Sequence, residues 1–160
     1  MEEARGDAGL SRVAELSNRF YDLVRRPDSR LAVDEEPTAR GFGHLAGHSY
    51  CLVVTYKRSG EGVPTPVWFG VDSEGRLYFR TFAGAAKVRR IRNQPGVRVA
   101  PCTMRGKPLG PAAEGTARVV DSGGEPHAER SIQANYGAFR RAYEATAGSP
   151  EGVYIEVRPA

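Results

Sequence analysis

Short runs of alternating or β-branched apolar residues, separated by glycine-bearing turns, recur along most of this 160-residue chain. Strands show this two-residue alternation, whereas a surface helix needs apolar residues every three to four positions. The turns are short, as in S-G-E-G at 59–62 and D-S-E-G at 72–75, which favours antiparallel neighbours. We predict six strands, at residues 50–58, 63–72, 76–82, 97–104, 111–121 and 153–158.

Residues 1–39 differ from this strand-rich remainder. Apolar residues at helical spacing run from Leu10 to Leu23, and a charged segment that contains Pro37 follows. A chain of this length supplies one hydrophobic core of ordinary size rather than two. We interpret residues 1–39 as an N-terminal helix and linker extension, and residues 40–160 as a single domain.

Two further helices are predicted within the domain. Residues 84–94 place Val88 and Ile91 on one face and stop at a Pro-Gly pair. A longer amphipathic helix follows residue 126, carries Ile132, Tyr136, Phe139 and Tyr143 on one face, and ends near residue 148. The fold class is therefore mainly β, with some α: a six-stranded antiparallel barrel closed by flanking helices.

Residues 75–113 contain nine Lys and Arg residues and no Asp or Glu. A one-sided positive field attracts an anionic partner, and charge alone leaves nucleic acid, a phosphorylated cofactor and an acidic substrate open. Nucleic acid is the least favoured, because the segment lacks the interleaved aromatic residues of single-strand binders and any known DNA-binding motif. A phosphorylated cofactor and an acidic substrate both remain open at this point.

Other site chemistries find little support in the sequence. Three histidines lie in unrelated segments, and no serine lies in a nucleophile-elbow motif. Cys51 and Cys102 are far apart and lack metal-ligand spacing, which indicates buried free thiols and no metal site. No run reaches the roughly 20 apolar residues of a membrane span, and the N-terminus lacks a signal-peptide pattern. We expect a cytoplasmic protein without a membrane partner.

Four motifs follow one another in the middle of the chain. They are P-T-P-V-W-F at 64–69, R-T-F at 80–82, G-A-A-K-V-R-R-I-R-N-Q-P at 84–95 and V-R-V-A-P-C-T at 97–103. This order resembles the pyridoxamine 5′-phosphate oxidase-like, FMN-binding-protein-like split β-barrels, and more closely their deazaflavin branch, the PPOX-class F-420-dependent enzymes. The resemblance spans residues 43–159 and implies a homodimer with two cofactor sites at the subunit interface.

The resemblance also implies cofactor contacts in four places: the second strand, the next strand, the start of the basic helix and the end of the following strand. Lys87 matches the family's phosphate-binding lysine, and a lysine in a first helical turn adds its charge to free backbone N–H groups and the helix dipole. The implied cofactor-binding residues are Thr65, Pro66, Val67, Trp68, Arg80, Thr81, Ala86, Lys87, Arg90 and Thr103, with no metal ligand.

At Thr65, Gly70 and Ala86 the flavin oxidases of this fold have basic residues, and at Ala85 a serine. These departures favour coenzyme F-420 over FMN, with the acidic tail along the basic helix. The expected function is an oxidoreductase in which reduced F-420 transfers hydride to a small electron-poor organic substrate. A separate dehydrogenase would regenerate the cofactor. The alternatives are an FMN-binding oxidoreductase of the same fold and a non-catalytic carrier of cofactor or haem.

A hydride transfer can also use a proton donor to the substrate. Tyr56, Tyr78 and Tyr136 are candidates, because an oriented tyrosine hydroxyl can donate to a carbonyl. A structural role is favoured for each of them, since most half-buried tyrosines pack in cores or interfaces.

Overall fold

The alternating runs form seven strands in the computed structural model, which describes residues 27–136 and 151–160. The strands are β1 (Tyr50–Tyr56), β2 (Gly62–Val67), β3 (Phe69–Val71), β4 (Leu77–Phe82), β5 (Gly96–Cys102), β6 (Ala113–Val119) and β7 (Gly152–Pro159). They form one sheet in the order β2-β1-β5-β6-β7-β4-β3, and all neighbours are antiparallel. The mainly β, antiparallel fold class is confirmed, but the predicted number of six strands is wrong.

The additional strand arises because the strand predicted at residues 63–72 changes neighbours at Trp68. Its first part, β2, pairs with β1, and its second part, β3, pairs with β4. β2 and β3 are therefore the two edges of the sheet, although only Trp68 separates them along the chain. The sheet must curl until its edges meet there, which turns it into a barrel. Pro64 and Pro66 lie in edge strand β2, as their missing N–H groups predict.

Apolar side chains from alternate strand positions fill the inside of the barrel and form the inner core. Phe79 and Ile155 face each other there from β4 and β7, and both are fully buried. Phe42 and Leu45, around the 3₁₀ turn Gly43–Leu45, join the same core from outside the sheet. Helices cover outer positions of the strands, where Leu52 of β1 and Tyr78 of β4 are also buried.

Three α-helices of the described residues pack on the barrel: α1 (Leu31–Asp34), α2 (Ala86–Asn93) and α3 (Glu125–Tyr136). α1 packs Ala32 against Leu52 on the outer face of β1. α2 connects β4 to β5, contacts β1 and β6, and buries Val88 and Ile91. The helix predicted at residues 84–94 is thus confirmed. α3 covers the outer face of β3 and β4, where Ile132 is fully buried.

Of the extension, the structure describes residues 27–39. They form the 3₁₀ turn Pro27–Arg30 and α1, and the Ala39 N–H then donates to the Ala112 carbonyl at 3.1 Å. The division of the chain after residue 39 stays a prediction. The helix predicted between Leu10 and Leu23 lies outside the described residues, as do Phe139 and Tyr143 of the long helix.

Helix α3 lies directly against β3 because Gly70 has no side chain. A Cβ atom at Gly70 would lie 1.9 Å from the carbonyl oxygen of Ser131 and 2.7 Å from the Cα of Ile132. At the preceding residue of β3, the Asn135 side-chain N–H donates to the Phe69 carbonyl at 3.1 Å. This contact places the end of α3 beside the point where the sheet edges meet.

Candidate functional site

The barrel opens between β2 and the last residues of β4. One edge of β4 pairs with β7 along its whole length, from Leu77 to Phe82. On the other edge, β3 pairs with β4 only as far as Phe69 opposite Phe79. Within residues 27–136 and 151–160, no strand pairs with the other edge of residues 80–82 or with the second edge of β2. We call this opening the split: it lies between β2 and residues 80–82 of β4, and it is closed at Trp68.

The predicted cofactor residues of these two strands lie on opposite faces of the sheet. Val67 belongs to the inner core, and strand alternation puts Thr65 on the same inner face. Thr81 also faces inward, because it pairs with Val153, which packs against the inner core. The side chains of Thr65 and Val67 are buried there, whereas Thr81 near the end of β4 is partly exposed.

Pro66, Trp68 and Arg80 occupy the outer face. Arg80 pairs with Tyr154, and its guanidinium lies 6.0 Å from the centroid of the Tyr154 ring. Gly152 provides the space for it, since a Cβ atom there would lie 2.5 Å from the Arg80 Cζ. The Tyr154 hydroxyl donates in turn to the Glu129 carboxylate on α3. The outer-face side chains are therefore the ones that can line the split.

The N-terminus of α2 lies next to the end of β4. The Ala85 N–H donates to the Phe82 carbonyl at 3.0 Å, and Ala86 begins the helix. Ala85, at the N-cap, has no side-chain oxygen, and the first turn contains no acidic residue. Lys87 lies in this first turn and is partly exposed. Backbone N–H groups, the helix dipole and a lysine charge thus meet at the open end of the split.

Arg90 and Thr103 make hydrogen bonds within the chain, and their roles in cofactor binding stay predictions. The Arg90 Nε donates to the Thr55 hydroxyl at 2.7 Å, and Thr55 is only 1 % exposed, so Arg90 anchors α2 on β1. The Thr103 hydroxyl accepts the Lys107 N–H at 3.0 Å and closes the turn after β5. β5 begins beside α2 and ends before Thr103, so the whole length of a strand, about 23 Å, separates Thr103 from α2.

A charged cluster that the sequence pattern did not indicate lies under the start of α3. The Asp72 carboxylate accepts hydrogen bonds from the Arg76 N–H and Nε, both at 2.9 Å, and from the His127 Nε2 at 2.9 Å. Burial alone would raise the pKa of Asp72, but the hydrogen bonds from His127 and Arg76 lower it to about 2. Asp72 therefore ties the β3–β4 turn to α3 as a carboxylate.

Glu156 of β7 is the second acid of this cluster and is 3 % exposed. Its carboxylate accepts hydrogen bonds from the Nε of Arg118 at 2.9 Å, the Nε of Arg158 at 2.8 Å and the Tyr78 hydroxyl at 3.1 Å. Burial opposes ionisation, yet these three donors lower the pKa of Glu156 to about 2. Tyr78 and Glu156 are 78 residues apart, so no local motif could have indicated the pair.

The structure also bears on the other predicted chemistries. Cys51 and Cys102 are free and buried, as predicted, and burial raises the pKa of the Cys102 thiol to about 12. In the described part of the chain, no three His, Cys, Asp or Glu side chains come together as a metal site. No helix among these residues is both long enough and apolar enough to span a membrane.

Neither a protein-family model nor a curated protein sequence matches this chain. Solved structures do match. A candidate pyridoxamine 5′-phosphate oxidase from Listeria innocua has a TM-score of 0.50 and 19% identity, over 72% of this chain and 86% of that one. A candidate 5-nitroimidazole antibiotic resistance protein from Bacteroides thetaiotaomicron has a TM-score of 0.52 and 14% identity, over 71% and 74%.

A haem storage protein from Vibrio cholerae is also similar, with a TM-score of 0.54 and 11% identity over 71% of this chain and 83% of that one. At sequence identities of 11–19%, these similarities are evidence for a shared fold alone. The antiparallel order of the strands, the split and the covering helices agree with it. The chain therefore has the split-barrel fold of the pyridoxamine 5′-phosphate oxidase-like proteins.

Proposed function

We propose that this protein is an oxidoreductase that binds coenzyme F-420 along the split and uses its reduced form to transfer hydride to a small electron-poor substrate. The observation that carries the proposal is the position of α2. Its acid-free first turn, with Lys87, lies at the open end of the split, next to the end of β4. With its anionic group bound there, a cofactor would extend its ring along the split toward Trp68.

Three groups of side chains fit three parts of such a cofactor: its phosphodiester, its acidic tail and its ring. Lys87 and the first-turn N–H groups of α2 would hold the phosphodiester. Arg89 and Arg92, both exposed on α2, would attract the acidic tail. Trp68, partly exposed at the end of β2, presents an aromatic surface beside which a planar ring would lie. Pro66 lies under the turn after β5, since a Cβ atom at Gly106 would be 3.3 Å from its Cγ, and it borders this surface.

We prefer a deazaflavin to FMN because this chain lacks basic side chains that the flavin oxidases of the family have. Flavin oxidases of the family have a basic side chain at the position of Gly70, whereas here the backbone of α3 occupies that space. Thr65 faces inward, and Ala86 carries no charge. Phosphate binding then depends on Lys87, the helix N-terminus and Arg80 of β4, with fewer basic side chains than in the flavin oxidases, which suits a phosphodiester with one negative charge better than a phosphomonoester with two.

The bound cofactor would supply the hydride chemistry, and the chain would supply position and field. Two of the candidate proton donors are engaged elsewhere. The Tyr78 hydroxyl donates to Glu156, and the Tyr136 hydroxyl donates to the Ser49 carbonyl at 2.6 Å. Burial and Glu156 also raise the pKa of Tyr78. We therefore assign neither of these tyrosines to proton transfer.

We also propose a homodimer, in which the partner completes each site. Three large apolar side chains are exposed around the face that α1 covers: Leu31 at 46%, Met104 at 66% and Leu109 at 51%. The turn after β5 lies close to this face, since a Cβ atom on its Gly106 would lie 3.4 Å from the Ser29 Cβ. Exposed apolar side chains gathered on one face are typical of an interaction surface. Light scattering after gel filtration measures the oligomeric state directly.

Binding titrations with purified protein test the cofactor. F-420 fluorescence should report micromolar binding, and Lys87→Ala should weaken it by about 1.5–3 kcal/mol, since a charge-assisted hydrogen bond is lost. Lys107→Ala is the matched control: it removes a positive charge from the same acid-free segment but in an exposed turn, and should leave the Kd within about twofold. Equal effects of the two substitutions would mean that only the general positive field matters.

The same titration distinguishes the alternative functions. Tight binding of FMN without binding of F-420 would make the protein an FMN-binding oxidoreductase. The likeness to a haem storage protein supports a second candidate, a non-catalytic carrier. Haem binding without F-420 binding, or F-420 binding without turnover on a broad panel of electrophiles, would favour that carrier.

A further inference from the structure

Residues 27–39, which we call the strap, cross the outer face of the barrel from β2 to β6. Their 3₁₀ turn contacts β2, and α1 then packs Ala32 against Leu52 of β1. At the far end, Ala39 pairs in parallel with Ala113, the first residue of β6. The strap therefore connects β2, which borders the split, to strands in the middle of the sheet.

Arg98 of β5 fastens the middle of the strap. Its Nη1 donates to the Val33 carbonyl at 2.8 Å and to the Glu35 carbonyl at 3.2 Å. Both carbonyls lie at the C-terminal end of α1, where helix carbonyls have no partner within the helix. Hydrogen bonds from a guanidinium are stronger than those between neutral groups. One of the nine cations of residues 75–113 thus binds the strap to the sheet.

The strap also lies directly on β2, at two places. A Cβ atom at Gly62, the first residue of β2, would lie 2.7 Å from the Val33 Cγ1. Near the other end of β2, a Cβ atom at Gly106 would lie 3.3 Å from the Pro66 Cγ and 3.4 Å from the Ser29 Cβ. The two places are about 13 Å apart along the strand. Contacts at both ends restrict the direction of β2 as well as its position.

β2 depends on this support because its own pairing is sparse. It pairs with β1 on one side and borders the split on the other. Two of its six residues, Pro64 and Pro66, have no backbone N–H and cannot donate to β1. Segments held by few hydrogen bonds open locally at the lowest free-energy cost. The position of this side of the split therefore depends on contacts from outside the sheet.

We propose that the strap, fastened by Arg98, holds β2 in place and thereby sets the width of the split. When the strap leaves Arg98, Val33 leaves Gly62, and β2 is then free to move relative to β4. Arg98 acts here as a positioning residue, through the strap. The hold on β2 is a property of the chain alone. Its effect on cofactor binding rests on the proposed function, since it needs a ligand that contacts both sides of the split.

Amide hydrogen exchange of the full chain, measured by mass spectrometry, tests the hold on β2 without any ligand. Arg98→Ala should speed exchange in the strap and in β2 at least about tenfold, the change that corresponds to one lost charge-assisted hydrogen bond. Peptides from β4 and β7 should keep the wild-type rate. Faster exchange in the strap with an unchanged β2 would refute the proposal, and so would an equal increase throughout the barrel.

Glu114→Gln is the matched control for Arg98. The Glu114 Oε1 lies 4.0 Å from the Arg98 Nε, so the substitution removes this ion pair and leaves both hydrogen bonds to the strap. Exchange in the strap and in β2 should then stay at the wild-type rate. If Glu114→Gln reproduces the effect of Arg98→Ala, the ion pair is responsible, and the carbonyl contacts do not fasten the strap.

Val33→Ala tests the contact with β2 separately. It keeps the carbonyl that Arg98 binds and removes the side chain that lies on Gly62. Exchange in β2 should rise about fivefold, as for a methyl group lost from a packed contact, while residues 35–39 remain unchanged. This variant decides the question alone if circular dichroism shows that Arg98→Ala does not fold. Unchanged exchange in β2 would refute the hold.

F-420 tests whether the strap is coupled to the split. A ligand that binds only while β2 is held suppresses opening by the factor 1 + [L]/Kd. At about 100 times the Kd, F-420 should therefore slow exchange in the strap by about 100-fold. If F-420 binds and exchange in the strap does not slow, the strap does not set the width of the split, while the proposed function stands. If wild-type protein binds neither F-420 nor FMN, the proposed function fails, and the ligand-free exchange still decides the hold on β2.

Discussion

Replacing Gly70 by alanine tests how closely α3 and β3 approach each other. The new Cβ atom would lie 1.9 Å from the Ser131 carbonyl oxygen, whereas real Cβ atoms essentially never approach a neighbour closer than 3.0 Å. The difference means that α3 must retreat by at least 1.1 Å. Both contacting groups are backbone, so no side-chain rotation can relieve the overlap.

The energetic cost can be worked from what this retreat disturbs. Overpacking between rigid elements costs about 1–3 kcal/mol. The Asn135 and Tyr136 hydrogen bonds to Phe69 would also lengthen, and each contributes about 1 kcal/mol. We expect Gly70→Ala to lower the free energy of unfolding by about 3–5 kcal/mol, measured by urea denaturation followed by circular dichroism at 25 °C.

Gly96→Ala is the control for the intrinsic effect of adding a methyl group. Gly96 begins β5, is exposed, and has no atom within 4 Å of a Cβ position. Its replacement should change stability by no more than about 0.5 kcal/mol. A loss below about 1 kcal/mol for Gly70→Ala, with an unchanged dependence on urea, would refute the close approach of α3 described above.

Two further predictions concern charged side chains. The folded-state pKa values of Asp72 and Glu156 lie at about 2, below the ordinary values of 3.8 and 4.5. Both acids therefore stabilise the fold above about pH 4.5, and this contribution should be lost as the pH falls toward 2. Urea denaturation between pH 7 and 2.5 measures this loss of stability. The double variant Asp72→Asn, Glu156→Gln should be less stable at pH 7, and its stability should fall less steeply as the pH decreases. Arg90→Ala should cost about 1.5–3 kcal/mol in the same assay, because the buried Thr55 hydroxyl loses a charged partner.

Each of these two predictions has an outcome that contradicts it. If the free energy of unfolding of the double variant falls equally steeply with decreasing pH, the carboxylates responsible lie elsewhere in the chain. For Arg90, the control is Arg92→Ala on the exposed side of the same helix, which should change stability by less than about 0.5 kcal/mol. Equal losses for the two arginines would mean that Arg90 contributes through net charge rather than through Thr55.

The local elements of the fold could be predicted from the sequence because their causes are local. Strand alternation, glycine-bearing turns and the stop at Pro95 fixed the positions of most strands and of α2 to within a few residues. The break at Trp68 could not be predicted in this way. It depends on which neighbour each half of the strand pairs with, and those neighbours, β1 and β4, lie on either side of it in the chain.

Part of the geometry around the candidate site could be predicted from the sequence, whereas cofactor binding by its residues stays a prediction. The basic first turn of α2, with Lys87, does lie at the end of β4, since a short connection leaves few alternatives. The hydrogen bond from Arg90 to Thr55 joins residues 35 apart in the chain, so no local pattern indicates it. Thr103, in contrast, accepts the Lys107 N–H within a local turn. The contacts of Glu156 depend on strand register, because it lies opposite Tyr78 of β4 and Arg118 of β6. Asp72 contacts Arg76 within its own turn, and only its hydrogen bond with His127 requires the packing of α3.

The sequence by itself determined that this chain forms short antiparallel strands with a basic helix between them. Two-residue alternation and turn chemistry act over a few residues and need no tertiary context. Only the tertiary structure decided that the sheet closes at Trp68, that Arg80 and Trp68 face outward while Val67 faces the inner core, and that α3 lies against Gly70. These outcomes depend on strand register and on packing between residues far apart in the chain. Two-residue alternation shows that a strand has two different faces, but it does not show which element packs on each face.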